Sequence, residues 1–152
     1  MNIMQPTVRA ACPNDLDTMV DLLGLLFAQE ADFEPNRELQ RSALSSILSS
    51  PELGSLLVAL VQGEVVGMVS LLYTISTAEG GAAAWLEDMV VLPEFRNSGV
   101  GSRLLEEAQR TCQEKGIRRM TLLTDRNNYS AKRFYTRHGF CESAMVPFRR
   151  RC

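Results

Sequence analysis

Apolar residues in the first third of the chain recur with a period near 3.6. Leu16, Met19, Val20, Leu23, Leu26 and Phe27 share one helical face, and Leu39, Ala43, Leu44, Ile47 and Leu48 share another. Asn14 precedes the first run as its N-cap, and Pro51 closes the second. Elsewhere the pattern shortens. Residues 7–11, 55–62 and 65–75 read as strands, the last two joined at Gly63-Glu64 as a hairpin. Gly67 inside the third strand marks a bulge or a close backbone approach. Residues 85–92 form an apolar run broken only by Glu87 and Asp88 and ended by Pro93, which reads as a buried strand. Val100, Leu104, Leu105, Ala108 and Cys112 return to helical spacing until Gly116. A strand over 118–125 follows, then a helix from Asn127-Asn128 to Gly139, and a last strand over 140–146. The order βαα-βββ-αβ-αβ predicts a mixed α/β fold, one mostly antiparallel central sheet flanked by helices, in a single domain over 1–152 with its core about 7–146.

Composition narrows this picture without redirecting it. The chain has 152 residues, 45% hydrophobic and 22% charged, enough for one sizeable core. A net charge of −2 lacks the basic excess of a general nucleic-acid binder, and Arg149-Arg150-Arg151 reads as a solvated tail. Cysteines 12, 112, 141 and 152 show no zinc spacing, and Cys112 and Cys141 read as core fillers. His138 is the only histidine and sits at an exposed helix end, so no metal site or serine triad is expected. Residues 1–6 lack an apolar leader region and no apolar run reaches spanning length, so the expected setting is cytoplasmic and away from membranes.

The chemistry concentrates where strand 85–92 turns into the following helix through Arg96-Asn97-Ser98-Gly99-Val100-Gly101. Backbone N–H groups at a helix start have no internal acceptor, and the helix dipole adds positive charge there. Glycine lets an anion approach that backbone, so the turn reads as a phosphate site. Gly101-Ser102-Arg103 is not the end of a Walker loop, and Leu104 stands where a dinucleotide fingerprint needs glycine.

R-x-x-G-x-G after a strand ending in V-x-P resembles the pyrophosphate loop of the GCN5-related N-acetyltransferases. Asn128 to Phe140 is similar to that family's N-x-x-A-x-x-F-Y-x-x-x-G-F signature. LEDMVV followed by PEFR is similar to the diamine acetyltransferase branch. The resemblance implies the acyl-CoA N-acyltransferase fold and transfer of acetyl from acetyl-CoA to a primary amine by direct attack, with a small polyamine or an amino acid as the candidate acceptors. It implies that the backbone of Met89, Val90 and Val91 pairs with the pantetheine arm and that Asn97, Ser98, Gly99, Val100, Gly101 and Ser102 bind the diphosphate. Arg96 adds charge there, and Asn128 contacts the cofactor or caps its helix. Tyr135 would protonate the leaving thiolate; the spacing alone also supports an aromatic core pair with Phe134.

An ammonium must lose a proton before it attacks, and Glu87 is assigned as base through a water, with Asp88 binding the acceptor. As neighbours in a strand they point to opposite faces, so at most one faces a given cleft. Glu30, Asp32 and Phe33, between the first two helices, would line the acceptor pocket or form a solvated helix end. The partner is thus a small-molecule or peptide amine, with a homodimer open because family members are often dimers. A non-catalytic acyl-CoA-binding regulatory module, or a plain α/β interaction domain, is the alternative. The acceptor's identity is not legible.

Overall fold

The computed structural model describes residues 5–30 and 32–152, so the reading of residues 1–6 falls mainly outside it, as does Ala31 of the acceptor segment. In chain order the elements are β1 (Thr7–Ala10), α1 (Leu16–Gln29), α2 (Arg37–Ser49), β2 (Gly54–Val61), β3 (Glu64–Ser76), β4 (Gly81–Val91), α3 (Val100–Glu114), β5 (Met120–Leu122) and α4 (Tyr129–Arg137). The strands lie in sequence order across one sheet. β1 to β4 run antiparallel, and α3 returns the chain so that β5 lies parallel to β4.

Alternation assigns the two faces. Leu57, Ala59, Val69 and Leu71 pack with Val100, Leu104, Leu105 and Ala108 of α3. Leu56, Val58 and Met68 pack with Met19, Leu23 and Leu44 of α1 and α2. The sheet therefore lies between helices, as the element order predicts. Gly67 is a close approach and lies beside an irregularity: the β2–β3 register shifts between Ala59 and Leu60, and a Cβ on Gly67 would sit 3.0 Å from the Val90 carbonyl oxygen. No helix among the described residues is long and apolar enough to cross a membrane.

Several local expectations are corrected. The β2–β3 turn is Gln62-Gly63, one residue early, with φ of 54° and 80°, the positive pair a two-residue hairpin requires. Asp15, not Asn14, stands at the start of α1, because Arg9 on β1 reaches its carboxylate at 2.7 and 3.0 Å while the Cys12 N–H donates to it at 2.8 Å. Residues 140–146 form no strand. The Phe140 N–H donates to the Tyr135 carbonyl at 3.1 Å, and Lys132 holds Glu142 at 3.1 Å, tying the segment to α4; Pro147 then lacks the N–H a ladder needs. Cys141 is consequently exposed rather than a core filler, whereas Cys112 is buried as expected. The strand expected over 118–125 shrinks to Met120–Leu122.

Candidate active site

One register defect on β4 organises the site. Leu71 pairs with Leu86 and Ser70 with Asp88, which leaves Glu87 as an extra residue. The bulge inverts the alternation: Ala84 and Leu86 face α3 before it, and Met89 and Val91 face α3 after it. Glu87 and Asp88 therefore both line the cavity on the α1/α2 side. Strict alternation had placed them on opposite faces; the inserted residue is why it fails.

β5 pairs with β4 only at Ala84, Trp85 and Leu86. Beyond that point β4 has no strand partner on its β5 side among the described residues, and the Val91 carbonyl on this edge accepts from Arg96 Nε at 3.1 Å. Met89 shares the direction of Val91 because strand groups two apart point alike. The edge leads directly into the turn before α3. Asn97 and Gly99 have φ of 59° and 87°, and Arg103 N–H donates to the Gly99 carbonyl at 3.0 Å. The N–H groups of residues 97–102 donate to no backbone carbonyl among the described residues. Ser98 Oγ–H bonds the Phe95 carbonyl, folding the turn back so that these donors gather at the helix start. A Cβ on Gly99 would meet nothing within 4 Å, whereas one on Gly101 would lie 3.2 Å from Phe134. Gly99 thus serves the backbone conformation and Gly101 the packing of α3 on α4.

α4 delivers the aromatic groups. Asn128 caps it, accepting from the Ala131 N–H at 3.1 Å. The Tyr135 ring packs edge-on against Phe134 at 5.2 Å and Phe140 at 5.6 Å, and its hydroxyl donates to the Met89 sulfur at 3.6 Å. Burial, with the Glu30 charge adding to it, pushes the phenol up to about 12, so it stays protonated. His138 is half-buried, not exposed: Nδ1 lies 2.8 Å from the Phe134 carbonyl and Nε2 3.0 Å from Ser102 Oγ. A carbonyl only accepts, so Nδ1 carries the proton and Nε2 accepts from Ser102, joining α4 to the first turn of α3.

The cavity on the α1/α2 side has a volume of about 370 Å³ and an acidic floor. Asp88 accepts from Ser70 Oγ at 3.0 Å, and burial above all raises it to about 6. Glu30, at the C-terminal end of α1, rises to about 7, first through burial and then through the charges of Asp88, Asp125 and Glu87. Phe33 lines the cavity, but Asp32 does not; it holds Arg149 at 2.7 Å, and that guanidinium lies 5.2 Å over Phe33. Arg149 is therefore a wall residue rather than part of a solvated tail. Ser70, Trp85, Leu39, Leu123 and Arg149 all line or shape the site, and nothing in the sequence spacing singles them out. A more open depression of about 450 Å³ beside β1 and β2 lies away from this opening, and its Glu107 and Arg110 are already paired. No group of three or more potential metal ligands occurs among the described residues.

The model for the acetyltransferase (GNAT) family matches residues 17–140. An aminoalkylphosphonate N-acetyltransferase of Salmonella typhimurium is 31% identical over 136 residues, covering 90% of this chain and 85% of the relative. An aminoglycoside N(6')-acetyltransferase type 1 of the same organism is 30% identical over 110 residues, covering 70% and 75%. Among solved structures, aminoglycoside N-acetyltransferase AAC(6')-Iy in complex with CoA superposes with a TM-score of 0.82 at 23% identity, covering 97% of this chain and 96% of that one, a likeness of fold.

Proposed function

The chain belongs to the GNAT acetyltransferase family, and we propose that it transfers the acetyl group of acetyl-CoA to a primary amine held on the acidic floor beside β4. The observation that carries this reading is the opening of β4 after Leu86, which joins the donor-rich turn to the acidic cavity. The residues fit the cofactor: free N–H groups at 97–102, with Arg96 beside them, suit a diphosphate, and the unpaired edge at Met89 and Val91 suits an amide-bearing arm. Val90 contributes backbone to the same strand but turns its side chain into the α1/α2 core. Asn128, occupied as a cap through its oxygen, has its amide N–H groups free for the cofactor.

Acetyl-CoA supplies an activated thioester whose C–S bond breaks as the amine forms a C–N bond. Glu30 and Asp88 hold the ammonium, and Glu30, the higher of the two, takes its proton. Their raised values place both near the working range of a general base, which favours them over the more exposed Glu87. Glu87 remains within the cavity to bind or relay. Tyr135, kept protonated, donates a hydrogen bond to the departing thiolate. The likeness of LEDMVV and PEFR to the diamine branch supports a small cationic amine among the acceptors.

Calorimetric titration with acetyl-CoA, followed by thiol release with amines, tests the proposal. Asn97→Asp puts a carboxylate where the turn would hold diphosphate; both residue types tolerate the left-handed φ of 59° at this position, and a charge of that sign at a helix start favours the fold. The variant should keep its melting temperature and lose acetyl-CoA affinity by at least tenfold. Equal affinity in the two proteins would remove the turn from the cofactor site.

A further inference from the structure

Four of the eleven large apolar side chains that stand exposed among the described residues meet at one place. Phe33, Leu39, Trp85 and Leu123, which are 43%, 66%, 39% and 50% exposed, all line the acidic cavity. They come from four separate elements or connections: the α1–α2 segment, α2, β4 and the residue after β5. Phe27 and Leu72 continue the apolar wall inward. Leu39 belongs to the apolar stripe of its helix yet is left uncovered, and Trp85 leaves more than a third of the largest apolar side chain in water. An apolar rim around a charged floor is the surface expected of a site whose ligand has a cationic head and an apolar body.

We infer that the preferred acceptor is an amine carried on an apolar body, of the arylalkylamine type, rather than a polyhydroxylated polycation or a phosphonate-bearing amine. This rests on the transferase reading and names its acceptor. The charges of Asp88, Asp125 and Glu87 all act on Glu30, so these four carboxylates form one cluster, which holds one ammonium. The apolar rim residues add no separate carboxylate for a second, and Asp32 behind the wall is held by Arg149. The rim also offers an anionic group little. Arg149 is the only cation among the described lining residues, and its guanidinium is committed to Asp32 and to the Phe33 face. What the rim presents is hydrocarbon and aromatic surface, with a volume suited to one ring and a short chain.

Trp85 is the chain's only tryptophan, so its fluorescence reports occupancy of this cavity without any turnover. With acetyl-CoA replaced by CoA, phenethylamine should change Trp85 emission saturably, with an apparent Kd at least tenfold below those of spermidine, kanamycin and 2-aminoethylphosphonate. Leu39→Ser and Leu123→Ser, at half-exposed positions that the fold does not need covered, should each weaken phenethylamine about tenfold and leave spermidine unchanged. Tighter binding of any of the three competitors, or equal weakening of every amine, overturns the inference and leaves the transferase reading intact. Phenethylamine binding as described, with no thiol release from acetyl-CoA and any amine, sinks the transferase reading while the ligand class stands.

Discussion

Replacing Asp88 by asparagine should make the protein more stable, by an amount that grows as pH rises from about 4 and is full above about pH 6. Asp88 ordinarily titrates near 3.8 and is raised to about 6, with burial the first cause. The unfolded chain gives up this proton as pH passes its ordinary value, while the folded chain holds it until about 6. The stability that goes with the neutral form is therefore complete below the lower value and lost as pH rises through the upper one. A separation of roughly two pH units corresponds to about 3 kcal/mol as an upper bound. Asparagine preserves the local ring: the Ser70 hydroxyl can donate to its side-chain oxygen, and the backbone N–H of residue 88 still donates to Ser70 Oγ at 3.1 Å. Its buried amide N–H groups need partners and offset about 1 kcal/mol of the gain. The expected net gain is about 1–2 kcal/mol at pH 8, or roughly 2–8 °C in Tm for a chain of this size. Scanning calorimetry of both proteins at pH 4.5 and pH 8 measures it. A gain of the same size at both values would mean that packing, not the charge, is responsible. No gain at pH 8 would show that the site is wetter than its geometry implies and would weaken the case for a buried acidic floor.

Tyr135→Phe should lower kcat by about 10²-fold while acetyl-CoA binding and Tm stay near the parent, because the hydroxyl's one hydrogen bond among the described residues goes to the Met89 sulfur; full turnover would exclude the donor role. Glu30→Gln should remove the limb of the kcat/KM–pH profile that rises toward about 7; an unaltered profile would assign that limb elsewhere. Asp15 is lowered to about 2, first by its hydrogen bond from Arg9, so its contribution is present above the ordinary value of 3.8 and lost as pH falls toward 2. Asp15→Asn should cost about 1–2 kcal/mol at pH 7, discounted for the half-exposed arginine, and the difference should vanish on acidification, as read by urea unfolding. Gly99→Ala meets no atom but must adopt a φ of 87°, and should cost about 1–2 kcal/mol. Gly101→Ala gains helix propensity against a 3.2 Å contact with Phe134 and should change stability by less than about 1 kcal/mol. If the two cost the same, the distinction between backbone and packing glycines is wrong.

The sequence by itself determined the elements whose cause is local or periodic. α1, α2 and α3 follow their apolar faces, Gly116 and Gly139 end helices with φ of 68° and 88°, and the glycine turn falls between strand and helix where its residues place it. The family was legible because its two motifs, around the glycine turn and around Tyr135, are each contiguous. What only the tertiary structure decided concerns position rather than type. An inserted residue at Glu87 turns two carboxylates to one face, which no alternation rule contains, since the bulge is defined by the partner strand's register at Ser70 and Leu71. Residues 140–146 have strand-like composition, but the α4 terminus and Lys132 claim their neighbours first. Arg149 joins the cavity wall through Asp32, a pair separated by 117 positions. The apolar rim is assembled from separated parts of the chain, so each member looks like an ordinary core residue until the fold leaves it uncovered. Local sequence carries the chemistry of each group; the environment that tunes Asp88 and Glu30 exists only once distant segments exclude water from them together.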